Sequence, residues 1–508
     1  MERTAPEEGL DREVLLVASV VIVGVIMSIL DTTIVNVALE TLSRELHAPL
    51  STIQWVSTGY LLSLAIVIPL TGWLSERYGS KRIWMISVAL FGVGSALCGA
   101  AWSAESLVVF RVLQGLGGGM IMPVGMSVLA QTAGPHRVGR VMSVIGVPML
   151  LGPILGPVIG GLIVDNTSWR WIFYVNIPIV AVALVLASRV LHADHGRADA
   201  GRLDVTGLAL VSPGLAAIVY GVSQSETHGG FGDPIVWGPA AVGVVLVALF
   251  VRHAWFADRP LLDLKLFRNR GFSAAAGATF LLGGALFGTL LILPLYYQVA
   301  RGESALTAGL LMAPQGIGAA IAMPLAGRWT DRVGGGRVAL VGIAVMTLGT
   351  LPYAFVGADT SYALLAGLLV IRGLGLASCM MPSMAAAYAL LDRAAVPRAT
   401  SALNVMRQIG GSIGTALLAV YLQGQIKDAL GGRGGGGGLQ QIPEPVRARN
   451  AAPLAEAFAN TFWIAILLSL VAVIPIALLA WTTRGNAAEY AAPHVGAEQA
   501  PAPVHGGT

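Results

Sequence analysis

The chain has 508 residues, of which 55% are hydrophobic and only 11% are charged, and its formal net charge is +4 at pH 7. Soluble domains carry about 25% charged residues, so this composition excludes an ordinary soluble enzyme or binding domain and indicates a membrane protein. The excess of basic residues does not indicate a nucleic-acid partner, because these residues cluster in short segments between apolar runs, as membrane topology requires. Both cysteines, Cys98 and Cys379, lie inside apolar runs, so neither a disulfide framework nor a metal site is predicted.

Apolar runs of about 20 residues, the length needed to cross a bilayer, recur along the whole chain. They predict an all-α polytopic fold, because lipid offers no hydrogen-bond partner to an open backbone. Fourteen membrane spans are predicted, near residues 14–39, 52–74, 83–101, 106–131, 138–164, 171–191, 204–222, 234–252, 272–300, 305–329, 338–357, 361–390, 399–422 and 458–481.

The segments outside the spans are two tails, one long loop and short turns. Residues 1–13 form an acidic tail without the basic start of a cleaved signal peptide. Residues 424–457, which contain a GGRGGGGG run, are expected to form a flexible external loop, and residues 483–508 a disordered tail. Of the 31 Lys and Arg residues, 21 lie in the tails and in the turns after even-numbered spans, against 7 in the turns after odd-numbered spans. This bias predicts that both termini are cytoplasmic.

One charged segment between two spans occurs twice in the chain. PLTGWLSERYGSKR at 69–82 returns as PLAGRWTDRVGGGR at 324–337, an offset of 255 residues. Eight predicted spans lie between equivalent positions, so we expect two related six-helix bundles, at 14–191 and 271–482, and an inserted pair of helices at 203–253. A weaker Gly-Leu-Gly match at 115–117 and 373–375 has an offset of 258.

Four charged residues lie more than two residues from either end of a predicted span. An intramembrane charge is costly, so each of them is a functional candidate. Asp31 is the only acid that we place well inside a span, and Arg111 lies at a similar depth in the fourth span. Arg372 and Arg407 lie in spans without an acid, so they either face a central cavity or bond to amide and carbonyl oxygens.

The fifth predicted span is rich in glycine and proline. Small residues at every fourth position lie on one helix face and let helices approach closely, while proline permits bending. A phosphate-binding glycine loop is excluded, because no strand precedes these residues and no Lys-Ser/Thr follows them. The residues concerned are Gly146, Gly152, Pro153, Gly156, Pro157, Gly160 and Gly161.

Together these motifs resemble the major facilitator superfamily. GWLSERYGSKR at 72–82 is similar to its loop 2–3 signature, LVVFRVLQGLGGG at 107–119 to its span 4 signature, and GVPMLLGPILGPVIGG at 146–161 to its antiporter signature. LDTTIVNVAL at 30–39, WRWIFYVNIP at 169–178 and SALNVMRQIGGSIGTAL at 401–417 resemble the fourteen-span drug:proton antiporter branch. Two positions depart from the pattern: Glu76 stands where Asp is usual, and Glu40 stands where Pro is usual.

The resemblance implies how some of these residues act. It places the first and fourth spans side by side, so we expect Asp31 and Arg111 to form a proton-coupling pair, directly or through water. The alternatives are a helix-capping Asp31 and an Arg111 bonded to backbone carbonyls. The resemblance also implies that the fifth span is a pliable interface, and that the acid of the repeated turn latches the cytoplasmic side on a helix N-terminus of the opposite bundle. The expected gating turns comprise Gly72, Glu76, Arg77, Gly79, Lys81, Arg82, Asp331 and Arg332.

The function that the resemblance implies is proton-coupled efflux of drug-like, amphipathic or cationic molecules across the cytoplasmic membrane by alternating access. It implies a monomer whose partners are substrate, protons and lipid, with no cofactor beyond the proton gradient. The alternatives on the same fold are export of one endogenous metabolite or self-made antibiotic, and proton symport. A membrane enzyme is opposed by the lack of a polar catalytic set, and a non-transporting receptor by the buried charges. Expected substrate contacts are Asn36, Tyr60, Gln114, Tyr297, Gln298, Gln315, Arg372 and Arg407.

Overall fold

The computed structural model describes residues 12–133, 152, 156, 159–164, 166–192, 196, 201–224, 234–258, 260–391, 395–430 and 444–483. The long elements in these ranges are α-helices. In chain order they are α1 (Arg12–Glu45), α2 (Leu50–Val67), α3 (Thr71–Tyr78), α4 (Ser80–Gly99), α5 (Ala104–Ala133), α6 (Asn176–Val190), α7 (Val205–Gln224), α8 (Pro234–Phe256), α9 (Arg270–Leu295), α10 (Ala313–Val333), α11 (Gly335–Thr350), α12 (Tyr362–Ala389), α13 (Val396–Ala429) and α14 (Ala451–Thr482). Short helical segments accompany them at Ile68–Leu70, Trp171–Tyr174, Leu264–Arg268, Tyr296–Ala300, Ala305–Leu311, Leu351–Phe355 and Glu444–Arg449.

The all-α polytopic prediction is confirmed. Twelve helical stretches of the described residues are long and apolar enough to cross a membrane, and Val205–Gly221 is a shorter apolar helix. The predicted fifth span, 138–164, lies mostly outside the described residues, so the count of fourteen stays a prediction.

The two repeated turns are each a single residue long. We predicted a short turn around 69–82, but α3 continues as helix to Tyr78 and α4 begins at Ser80. Gly79 alone makes the break, with φ 88°, and Gly334 does the same between α10 and α11 with φ 89°. Only glycine adopts this backbone conformation without strain. The acids of the repeat therefore lie on the last helical turn of a span and not in a loop.

Equivalent positions of the two bundles make equivalent helix contacts. A Cβ on Gly115 would lie 2.8 Å from the carbonyl oxygen of Tyr60, and a Cβ on Gly373 would lie 2.0 Å from that of Gln315. Tyr60 and Gln315 are 255 residues apart, as the repeat requires. The same two glycine positions thus let the same pair of helices approach closely in each bundle.

The inserted pair of helices lies beside the two bundles. From α7, Val211 and Leu215 pack in a buried cluster with Ala65 of α2 and Val405 of α13, which belong to opposite bundles. The hydroxyl of Ser212 donates to the carbonyl of Ile66 at 2.6 Å. Most side chains of α8 are exposed, as expected of a helix that faces lipid.

The predicted loop 424–457 is shorter in the structure than we predicted. Helix α13 runs to Ala429 and α14 begins at Ala451, and between them Glu444–Arg449 is helical. The extra turns are held by packing, because Leu454 and Phe458 are fully buried. The Gly-rich run itself lies outside the described residues, as do both predicted tails apart from Arg12, Glu13 and Thr483.

The close approach of α10 and α12 predicts a large stability difference between two glycines of one helix. Gly373→Ala places a methyl group against the carbonyl of Gln315, so it should lower the thermal unfolding midpoint of the detergent-purified protein; overpacking costs about 1–3 kcal/mol. Gly367→Ala in the same helix is the matched control, because nothing lies within 4 Å of its Cβ position. Equal midpoints for the two variants would contradict the close contact.

Candidate functional site

Asp31 and Arg111 form a direct ion pair in the interior of the first bundle. Nη1 of Arg111 lies 2.6 Å from Oδ2 of Asp31, and the two side chains are 1% and 0% exposed. Asp31 belongs to α1 and Arg111 to α5, so the pair joins two helices. The structure therefore has the direct form of the expected contact, without an intervening water.

Two amides complete the surroundings of the carboxylate. Oδ1 of Asp31 accepts hydrogen bonds from Nε2 of Gln114 at 2.9 Å and from Nδ2 of Asn176 at 3.1 Å. Gln114 Oε1 accepts in turn from Nη1 of Arg111 at 2.8 Å. Asp31, Gln114 and Asn176 are all at most 3% exposed. A buried ion pair is tolerated only when its remaining donors and acceptors are satisfied, and these amides meet that need.

The guanidinium group of Arg111 is held by two further contacts. Its Nε donates to the carbonyl of Val56 at 3.2 Å. Its Cζ lies 4.0 Å above the ring centre of Tyr60, a cation–π contact. Val56 and Tyr60 both belong to α2, so the ion pair ties a third helix into this group. Tyr60 is fully buried beneath the guanidinium, so it does not face an open cavity in this conformation.

Sequence reasoning missed Asn176 and Ser95. Asn176 sits at the start of α6, and its Nδ2 also donates to Oγ of Ser95 at 3.0 Å. Ser95 in α4 donates to the carbonyl of Phe173 at 2.8 Å. The sequence held one signal for Asn176, an amide inside the apolar run 171–191. An uncharged polar group in lipid also needs a hydrogen-bond partner. The site is thus built by helices α1, α2, α4, α5 and α6.

The acid of the first repeated turn contacts the opposite bundle. Oε1 of Glu76 lies 2.7 Å from Nε of Arg398, and both side chains are mostly buried, at 12% and 19% exposed. Arg398 is the third residue of α13, so the carboxylate lies at the positive end of that helix. A Cβ on Gly72 would lie 3.2 Å from Cα of Arg398. Ser401 of α13 donates to the carbonyl of Ile68 at 2.9 Å.

The other residues of the repeated turns take different positions. Nζ of Lys81 binds the carbonyl oxygens of Ser188, at 3.0 Å, and Leu191. Through these two bonds Lys81 holds the C-terminal end of α6, within the first bundle. Arg77 and Asp331 are half-buried, and Arg82 and Arg332 are exposed.

The described glycines of the fifth predicted span lie against α1. A Cβ on Gly152 would overlap Ile29, and a Cβ on Gly156 would overlap Thr33. Gly160 is close to Ile34, and Gly161 has nothing within 4 Å of its Cβ position. These contacts are made one turn on either side of Asp31, inside the first bundle. Gly146, Pro153 and Pro157 lie outside the described residues.

The two arginines expected to contact substrate in the second bundle differ in partners and burial: Arg372 is buried, and Arg407 is half-buried. Nη1 of Arg372 donates to Oε1 of Gln315. Nη2 of Arg407 donates to Oδ1 of Asn404 at 2.8 Å and approaches the sulfur of Met122, in the first bundle, at 3.2 Å.

Tyr297 is 1% exposed and Gln298 half-buried. The side chain of Asn36 lies outside the described part of the structure.

A polytopic helical protein with repeated bundles, an intramembrane ion pair and a charged contact between bundles has the architecture of a secondary transporter. The family model of the Major Facilitator Superfamily matches residues 21–415, and the chain belongs to that family. The chain is accordingly a transporter and not an enzyme.

Two relatives and one solved structure illustrate the likeness. The chain is 40% identical over 498 residues to the multidrug resistance protein B homolog of Mycobacterium tuberculosis (strain CDC 1551 / Oshkosh), covering 94% of this chain and 92% of that protein. It is 30% identical over 410 residues to the tetracenomycin C resistance and export protein of Streptomyces glaucescens, covering 81% and 76%. The crystal structure of the human organic anion transporter MFSD10 is similar with a TM-score of 0.58, over 91% of this chain and 99% of that chain, at 13% identity. This last likeness shows the fold alone.

The ion pair between the bundles predicts a change in accessibility at α13. In a chain with Cys98 and Cys379 replaced by Ser, a Ser401→Cys probe should react slowly with a maleimide, because position 401 is fully buried beneath α3. Glu76→Gln removes the ion pair and should raise the labelling rate several-fold.

Two variants serve as controls for this measurement. The exchange Glu76→Arg with Arg398→Glu should restore slow labelling, whereas Arg82→Gln, at an exposed position nearby, should not change it. An unchanged rate in Glu76→Gln would mean that the ion pair does not hold the bundles together.

Proposed function

We propose that the chain exports drug-like or amphipathic small molecules across the cytoplasmic membrane in exchange for protons. The observation that carries the proposal is the buried Asp31 carboxylate, which Arg111 and two amides surround inside a membrane bundle. An ionisable acid at such a place is the group through which a transporter can take up a proton. The names of the relatives, a multidrug resistance protein homolog and a resistance and export protein, support efflux.

The proposed topology has fourteen spans, with both termini and both repeated turns in the cytoplasm. The distribution of Lys and Arg supports this orientation, since 21 of 31 lie on the side assigned to the cytoplasm or in the tails. In this orientation the contact of Glu76 with Arg398 closes the cytoplasmic side, and Asp31 takes its proton from outside.

Protonation is proposed to act through the hydrogen bonds of Asp31. A neutral carboxyl group no longer attracts Arg111, and the oxygen that carries the proton becomes a donor instead of an acceptor. The amides of Gln114 and Asn176 and the guanidinium of Arg111 would then have to move. Because α1 also packs on the glycines of the fifth predicted span, such a change would pass to the helices on both sides of α1. This couples the proton to the arrangement of the bundle.

A narrower substrate range is the second candidate function. The relative from Streptomyces glaucescens is named for resistance to and export of a single compound, tetracenomycin C. An exporter of one endogenous metabolite or self-made antibiotic would use the same proton site. Growth protection against a panel of compounds separates the two candidates, because a multidrug exporter protects against several unrelated ones.

Replacing the central acid tests proton coupling. Asp31→Asn keeps the shape of the side chain but cannot ionise, so efflux driven by a proton gradient should fall to the level of vesicles without the protein. The measurement uses reconstituted vesicles and the best-transported dye of a panel that contains cationic and acidic dyes, with and without an uncoupler. Asp359→Asn, at an exposed acid in a turn, is the matched control and should retain efflux. Full gradient-driven efflux by Asp31→Asn at equal protein content would refute the proposed role.

A further inference from the structure

Arg372 is a buried cation that pairs with no acid among the described residues. It is 2% exposed, and its one described hydrogen bond runs from Nη1 to Oε1 of Gln315. Its Nε has no hydrogen-bond partner in the described part of the chain. The guanidinium group does not lose its proton in proteins, so its charge cannot be relieved in that way. The Nε edge of the guanidinium group therefore has no hydrogen-bond partner among the described residues.

The repeat places this cation at the position of a site residue of the first bundle. An offset of 258 relates Gln114 to Arg372, and an offset of 255 relates Tyr60 to Gln315. The backbone agrees, because Gln114 lies against Gly94 as Arg372 lies against Gly349. Arg372 and Gln315 thus occupy the same helix positions as two residues of the proton site.

The ion pair itself is missing from the second bundle. The positions that correspond to Asp31 and Arg111 are Leu286 and Leu369, which are 5% and 0% exposed. Two packed leucines need no partner, whereas the added arginine does. The second bundle thus has a positive charge where the first bundle has a neutral amide, and among the described side chains no carboxylate pairs with it.

No acid with a described side chain in the second bundle forms an ion pair with Arg372. Arg407 adds a second positive charge, and its Nη1 also has no hydrogen-bond partner among the described residues. The acids between residues 271 and 482 whose side chains the structure describes lie in turns or near helix ends: Glu303, Asp331, Asp359, Asp428 and Glu456. An uncompensated cation in a membrane interior is costly and indicates a functional site with a missing anion.

We propose that Arg372, with the amide of Gln315 beside it, binds an acidic group of the transported molecule, such as a carboxylate. The inference rests on the proposed export function and names the class of substrate. A guanidinium edge binds a carboxylate through two charge-assisted hydrogen bonds. Arg372 is closed off in this conformation, so the acid reaches it in another conformation of the transport cycle. A cationic substrate without an acidic group, one of the classes that the family resemblance implies, would be repelled here.

Binding of two matched dyes tests the proposal. Rhodamine 110 has a free carboxyl group, and its methyl ester has the same rings without that charge. The full-length purified protein should bind the acid about tenfold more tightly than the ester, as measured by fluorescence anisotropy, because one charge-assisted pair is worth about that factor. Arg372→Gln should remove the difference, and Arg372→Lys should retain part of it. Arg301→Gln, at a half-buried arginine in a turn of the same bundle, is the control and should behave as the parent.

Two further measurements exclude a structural effect and an inorganic anion. Arg372→Gln should keep or raise the thermal unfolding midpoint, because it removes an unpaired charge. Replacing gluconate by chloride in the buffer should not abolish the preference for the acid. A lower midpoint with equal loss of both dyes, or full competition by chloride, would overturn the proposal. So would a parent protein that prefers neither dye.

Transport of the same dyes separates this proposal from the proposed function. In reconstituted vesicles with a proton gradient, Arg372→Gln should lower transport of the acid about tenfold relative to the ester. If the parent binds the acid preferentially but moves neither dye with the gradient, the proposed export function fails and the anion site stands. If both dyes are exported equally by the parent and by Arg372→Gln, export stands and the anion site fails.

Discussion

The ion pair of Asp31 with Arg111 is the interaction on which the first bundle depends. A charge inside a membrane bundle must have a partner, and here the partners come from several helices. Arg111 and Gln114 belong to α5, Asn176 to α6, and α2 supplies the ring of Tyr60. The position of the carboxylate therefore fixes the positions of its neighbours, and any change of its charge alters the contacts that they make with it.

Close helix packing makes this arrangement possible. Gly94 lies against the backbone of Gln114, and Gly115 lies against the carbonyl of Tyr60. A side chain at either glycine would move a helix away and lengthen the hydrogen bonds of the site. The second bundle repeats the same packing with a different set of polar groups. The scaffold is thus symmetric in its backbone contacts and asymmetric in its buried charge, and the proposed proton site and the proposed anion site fall in different bundles.

The described contacts between bundles are concentrated at the end that carries the first repeated turn. Glu76 and Gly72 meet the first turn of α13, and Arg407, three turns further along, approaches Met122. Helix α7 packs on both bundles near the same level, against Ala65 and Val405. The inserted pair therefore flanks the boundary across which the bundles would move.

The sequence by itself determined the class of the protein and the candidates for its central charges. Hydropathy located the spans, because each one must bury its backbone and match the bilayer. The repeated turns could be recognised from Gly79 and Gly334. A single residue breaks the helix there with a positive φ, a conformation that glycine adopts without strain. Asp31 could be recognised because no other acid interrupts an apolar run at such depth.

Only the tertiary structure decided the partners. Neither the contact of Asn176 with Asp31 nor that of Glu76 with Arg398 follows from hydropathy, because residues 145 and 322 positions apart meet only when the helices are assembled. The same holds for Lys81, which binds carbonyl oxygens at the end of α6, whereas Glu76, five residues earlier, pairs with Arg398 of the other bundle. Hydropathy records how much of a helix avoids water, but the choice of a polar partner depends on the angle and depth at which two helices cross.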